Sequence, residues 1–162
     1  AQRLEKVWAV FPVTELGPQQ MIRAMQQAAS VRTLRAESGN TYLAIRRFER
    51  QARFVDDYGI AGDAEQPQAS TIPHTVQRLS GVYTRQYSKV ALFTAPGRIA
   101  AMSGDATRCL ENCYLACLSR RPTSAEQTHF LPQLLGPLKR RASAVDDIYW
   151  TLFNSAEFCW NH

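Results

Sequence analysis

Along "SAVDDIYWTLFNSAEF", the apolar residues Val145, Ile148, Tyr149, Leu152, Phe153 and Ala156 recur at steps of three and one. That rhythm keeps to one side of a chain only when the chain turns every 3.6 residues, so it demands a helix with one side covered by other elements. A strand would scatter the same side chains over both of its faces. Ser143, with Asp146 three residues on, reads as the cap that starts this helix.

The same grammar runs upstream. "PTSAEQ" predicts a second capped start, with Thr123 as N-cap and Glu126 closing a capping box. The helix that follows carries Phe130, Leu131, Leu134 and Leu135, with a kink expected at Pro132. From Asp105 onward Leu110, Cys113, Tyr114, Cys117 and Leu118 share a helical face. Nearer the start, Pro18 suits a first turn, and Ile22, Met25 and Ala29 follow at helical spacing. Before it, Arg3 to Phe11 holds a short apolar run that stops at Pro12.

Ser38-Gly39-Asn40 is a breaker, after which Tyr42 to Val55 reads as a helix with two stripes. Ile45, Phe48, Ala52 and Val55 form the apolar one, expected to face the core; Arg46, Arg50 and Arg53 lie on a different face. Pro73 marks a further first turn in "STIPHTVQRLSGVY", capped by Ser70 or Thr71, and Pro96-Gly97 and Gly104 read as breakers. Only "SKVALFT", Ser88 to Thr94, passes for a strand, and it has no hairpin partner. The expectation is an all-α, single-domain irregular bundle of about five to seven helices over residues 1–162. A long acidic loop rich in Gly and Pro, "DDYGIAGDAEQPQASTIP", interrupts it.

The chain's 162 residues suffice for one domain with a proper core, and 45% hydrophobic with 20% charged residues are globular values. A net charge of +5 admits nucleic acid, an anionic membrane surface or an acidic polysaccharide as partner without selecting one. No stretch approaches the ~20 apolar residues of a membrane span. "AQRLEKVWAVFPV" carries charges within its apolar part, unlike a signal peptide.

Cys109, Cys113 and Cys117 stand at every fourth position, with Cys159 near the chain end. Thiols on one continuous helix spread over more than two turns, unlike the close knuckle pairs of zinc sites, so a metal site is not expected unless Cys159 and His162 completed it. C-x-x-C-H is missing, which removes covalent haem. Side chains at i and i+4 run parallel, so no disulfide is expected within the ladder, while a bridge from Cys159 to one ladder thiol stays open. Packing is the best account of the ladder, because cysteine is a small apolar residue and shares the stripe of Leu110 and Tyr114. No cofactor is called for.

His74, His129 and His162 fall in no metalloprotease pattern, and no serine sits in a nucleophile-elbow signature. Asp56-Asp57 and Asp146-Asp147 are adjacent pairs, which point apart on a helix and so read as solvated faces. Arg32, Arg35, Arg46, Arg47, Arg50 and Arg53 precede acids at Asp56, Asp57, Asp63 and Glu65. An internal ion-pair network explains both groups; an anion-binding face of Arg46, Arg50 and Arg53 is the functional alternative. Aromatic interleaving for base stacking is sparse, so there is no strong nucleic-acid signal.

The order of the pieces resembles a known family. "YLACLSRRPTSAEQ" is similar to a Y-L-x-x-L-x-R-x-P-T-x-x-E pattern, and "LFNSAEFCWNH" to L-x-N-S-x-E-F-x-x-N-H. Both belong to the uncharacterised helical C-terminal domain of large planctomycete-type exported proteins, which accompanies planctomycete cytochrome-c-like modules. Cys117 and Cys159 stand where that pattern has small or aliphatic residues, and the haem-binding part is missing, so no haem carries over. The resemblance implies an exported, periplasmic or cell-surface setting and no activity. Two functions follow as expectations: a non-catalytic helical domain docking on a neighbouring domain or partner protein, or an accessory part of an enzyme system acting on anionic polysaccharides.

Overall fold

A computed structural model describes residues 16–31, 41–58, 81–91 and 93–160, with the side chains of 41–44, 46, 47, 57 and 58 outside the description. The segment Arg3 to Phe11, the Ser38 breaker, the acidic loop from Gly59, the Pro73 helix start, Arg32, Arg35, His74 and His162 all lie outside the described residues. Eight helices are described: α1 Pro18–Ala29, α2 Thr41–Tyr58, α3 Val82–Ser88, α4 Ala95–Met102, α5 Ala106–Leu118, α6 Ser124–Leu134, α7 Leu138–Phe153 and the one-turn α8 Ala156–Cys159. The fold is an all-α bundle, as the periodicity requires. None of these helices is long and apolar enough to cross a membrane.

The stripe that demanded a helix forms the centre. Val145, Ile148, Tyr149, Leu152 and Phe153 of α7 are all buried, and α3, α4, α5, α6 and α8 pack around it. Tyr149 and Phe153 meet edge to face at 5.6 Å, and Phe158 of α8 closes on Phe153 at 5.0 Å. α1 lies across this group with Met21, Ile22 and Met25 buried, and it packs on α2, α3, α4 and α5. Tyr149 donates to Ala28 O at 3.4 Å, and Leu16 N donates to Cys159 O at 2.8 Å, so α1 is tied to the C-terminal helices at both of its ends.

Three local expectations are corrected. α7 begins at Leu138 behind Pro137, so Ser143 is an exposed residue in its second turn rather than a cap. Pro at the boundary needs no N–H partner, and "LKRRA" consists of good helix formers, so the helix starts six residues early. Ser88 ends α3, and 89–91, 93 and 94 are irregular or turn rather than strand, with Leu92 outside the described residues. Pro96-Gly97 does not break a helix but opens α4: Thr94 Oγ1 accepts from Gly97 N at 3.2 Å, the position where proline is tolerated. A Cβ on Gly97 would stand 1.8 Å from Ala91 O, so only glycine lets α4 approach that turn.

Candidate functional site

α2 carries both the apolar stripe and the arginines. It packs on α1, and Phe54 meets the Tyr83 ring of α3 at 5.1 Å. Gln51 Nε2 donates to Gln26 Oε1 at 2.9 Å, while Gln26 Nε2 donates to Tyr87 Oη at 3.1 Å, a relay that joins α2, α1 and α3. Because Gln26 is buried, both ends of its amide need partners, and Gln51 supplies one. The face of α2 that carries Gln51 and Phe54 is thereby fixed against the bundle.

This overturns the expected orientation of the apolar stripe. Ile45 is 52% and Phe48 71% exposed, Ala52 is exposed and only Val55 is half-buried. Phe54, one position from the stripe, is the buried residue at 1% exposure. The reason lies in the polar relay, which sets the helix rotation in place of the apolar period.

Arg50 and Arg53 are exposed, and neither forms an ion pair with another described residue. Arg46 lies on the same helix at the matching interval, its side chain outside the description. The internal network expected for these arginines drew on Asp56, Asp57, Asp63 and Glu65, of which Asp63, Glu65 and the Asp57 side chain also lie outside the described residues. Asp56, three residues from Arg53, is exposed.

The cysteines are packed as their period suggested. Cys109 and Cys113 are fully buried, Cys117 is partly buried and Cys159 is buried. All four are free thiols: Cys159 Sγ is directed at Phe153 O at 3.9 Å, so the bridge left open for Cys159 is not formed. Cys113 and Cys109 share a hydrogen bond that raises the first and lowers the second, and Ser103 and Arg141 add to the lowering. Burial pushes Cys117 well above the usual thiol range. Among the described residues, no group of three His, Cys, Asp or Glu side chains is placed to hold a metal ion.

The paired acids separate as the helix geometry dictates. Asp146 accepts from Ser88 Oγ at 2.8 Å and fastens α7 to α3, while Asp147 is exposed. His129 is exposed and meets the ring of Phe130 at 4.7 Å.

One polar cluster was not foreseen. Arg120 follows the left-handed Ser119 that ends α5 and donates through Nη1 and Nη2 to Glu126, at 3.0 and 2.8 Å. Its Nε and Nη2 also donate to Glu157 at 2.6 and 2.7 Å. Thr123 N and Oγ1 add bonds to Glu126 at 2.6 and 2.8 Å, and the guanidinium lies 5.2 Å from the Tyr114 ring centre. Hydrogen bonds from Arg120, followed by those of Thr123, hold the Glu126 carboxyl down at about 2. One fork binds two carboxylates, locking α5, α6 and α8 together. The only prior signal was Glu126 in the capping box; nothing local announces that Glu157 arrives from 37 residues away. With every donor and acceptor of the group used internally, it is a clasp rather than an acid–base pair.

Searches against protein-family models, curated proteins and solved structures return no match to this chain.

Proposed function

We propose that this chain is a non-catalytic helical docking domain. The observation that supports the reading is the exposed run of Ile45, Phe48 and Ala52 on α2, which the half-buried Val55 continues. Large apolar side chains aligned at helical spacing on an exposed face are the pattern by which a helix seats in a partner groove. The cysteines, Asp146 and the Arg120 clasp are each accounted for by packing or by internal bonds. An exported, periplasmic or cell-surface setting, with a neighbouring domain or partner protein to dock on, belongs to the same proposal through the family resemblance.

The test is Phe48→Glu. On a docking face it leaves the thermal midpoint unchanged, because the side chain is solvated before and after. A fall of the midpoint by several degrees would show that Phe48 is covered within the fold and would end this reading.

The exposed Arg50 and Arg53 favour a second reading, an accessory role toward anionic polysaccharides with Arg46 completing the face. Retention on a sulfated polysaccharide column at physiological salt, abolished by replacing these three arginines alone, would establish it over docking. Exposed charges without a shaped site lose their hold there, where the screening length is about 8 Å.

A further inference from the structure

Cys109 and Cys113 stand four residues apart on α5, so they face the same way with Cβ atoms about 5–6 Å apart. Both are fully buried, and the two thiols share a hydrogen bond. The end of α4 covers Cys109: its Sγ lies 3.9 Å from Ile99 O, and Arg141 Nη1 of α7 donates to Ser103 O at 3.1 Å. Arg141 Nε is buried there with no hydrogen-bond partner among the described residues. A guanidinium with one N–H unsatisfied favours negative charge beside it, and Arg141 acts on Cys109 in that sense. Asp105 acts against it, but its carboxylate is engaged by Arg108 N at 2.8 Å and Arg108 Nε at 3.7 Å.

We infer that Cys109 and Cys113 form a two-thiolate site for one soft monovalent cation of the copper(I) class, with Arg141 as its counter-charge. Coordination number and charge both lead there. Among the described residues no three His, Cys, Asp or Glu side chains converge, so the four ligands that zinc requires are not assembled. A linear two-coordinate ion needs only two. With metal–sulfur bonds of about 2.3 Å, such a unit spans about 4.6 Å, within reach of neighbours at i and i+4. Two thiolates and one monovalent cation carry a single negative charge, which Arg141 cancels, as a buried site requires. A divalent ion would leave the guanidinium uncompensated. Thiolate is also the ligand type that selects copper(I).

Cys117 continues the ladder but stands about 12 Å along α5 from Cys109, away from the Arg141 end. Burial raises its thiol, which disfavours a thiolate there. Binding at the pair balances without electron transfer. The Cys113 S–H bond breaks, and that of Cys109 where it is still protonated; the protons leave to solvent and two metal–sulfur bonds form. The exposed Thr107 and Arg108 flank Cys109 in the first turn of α5, so opening that turn admits an ion. A bare ion needs a smaller gap than a bulky thiol reagent does.

Oxygen-free titration of the full chain with copper(I) held by bicinchoninate, a coloured chelator, reads the site. One ion per chain should leave the chelator, and X-ray absorption should show two sulfur neighbours. Cys109→Ala and Cys113→Ala should each abolish the transfer. The double variant Cys117→Ala/Cys159→Ala, whose only thiols are Cys109 and Cys113, should keep both the stoichiometry and the sulfur count. Arg141→Gln should weaken binding by about 10- to 100-fold with two sulfurs retained. No transfer to the wild type, three or more sulfur neighbours, or loss of transfer in the double variant would overturn the inference. So would transfer that survives removal of Cys109 or Cys113. Should those two variants fail to fold, the double variant decides by itself. An Arg141→Gln variant that binds as tightly as wild type would overturn the charge balance that selects a monovalent ion.

Discussion

Phe48 and Phe54 sit six residues apart on α2 and on different sides of it: Phe54 is 1% exposed and Phe48 71%. Truncating the two therefore separates core from surface on a single helix. Phe54→Ala removes a buried ring from its contact with Tyr83 and should cost about 3–5 kcal/mol. Phe48→Ala should stay within about 0.5 kcal/mol in dilute solution. Chemical denaturation of both variants at low protein concentration decides it; equal costs would mean the helix is turned differently.

Thr123→Ala should destabilise by about 0.5–2 kcal/mol, because its hydroxyl oxygen accepts from Glu126 N at 3.3 Å in the first turn of α6. Ser143→Ala, exposed within α7, should change the unfolding free energy by less than about 0.5 kcal/mol. A loss at Ser143 matching that at Thr123 would place a helix start where the structure has none.

Glu126 gives the fold a pH dependence of known sign. Its folded pKa is depressed to about 2 from an ordinary 4.5, so its contribution is complete above pH 4.5 and lost as pH falls toward 2. Glu126→Gln should lower the midpoint at neutral pH and flatten the acid limb between those values. An acid limb unchanged in the variant would assign the dependence to other carboxylates. Arg120→Ala, which leaves Glu126 and Glu157 facing each other, should cost on the order of 2 kcal/mol at neutral pH, with partial exposure drawing the value down.

The thiols should be silent in the native state. Cys113 is held protonated by its hydrogen bond with Cys109 and then by burial, Cys117 by burial, and Cys109, though lowered, is fully enclosed. A thiol reagent at pH 8 should titrate all four cysteines in denaturant and proceed far more slowly without it. Rapid native labelling at Cys109 would show that the ladder opens.

Gly97→Ala should be among the most harmful single-methyl changes, since the new carbon meets backbone at Ala91 that cannot swing aside. A cost at the upper end of about 1–3 kcal/mol is expected, whereas Gly104→Ala, with nothing within 4 Å of its Cβ, should cost far less. Similar midpoints for the two would contradict the close approach.

The sequence was most readable where one local pattern had one physical outcome. The α7 stripe, the Thr123 capping box and the Asp105 start are such cases, since each bond or contact lies within a few residues. It was least readable where a distant partner decides. The rotation of α2 is set by Gln26, 25 residues away, so its apolar period pointed to the wrong face. Ser143 offered a valid cap signal, but a longer helix that satisfies more backbone groups displaced it. The Arg120 clasp needs Glu157 in register, which spacing along the chain does not encode.

The Tyr149 to Ala28 bond spans 121 residues, and α1 is buried against helices made much later. At a synthesis rate of about 5–20 residues per second, that span takes roughly 6–24 s. Throughout it, Met21, Ile22 and Met25 emerge from the ribosome without the surface that encloses them in the finished fold. Chains stalled before Leu138 should therefore be held by chaperones or attacked by proteases at α1, while chains extended past Cys159 should escape both. The earliest described helix is thus the one whose safety depends on the last described turn.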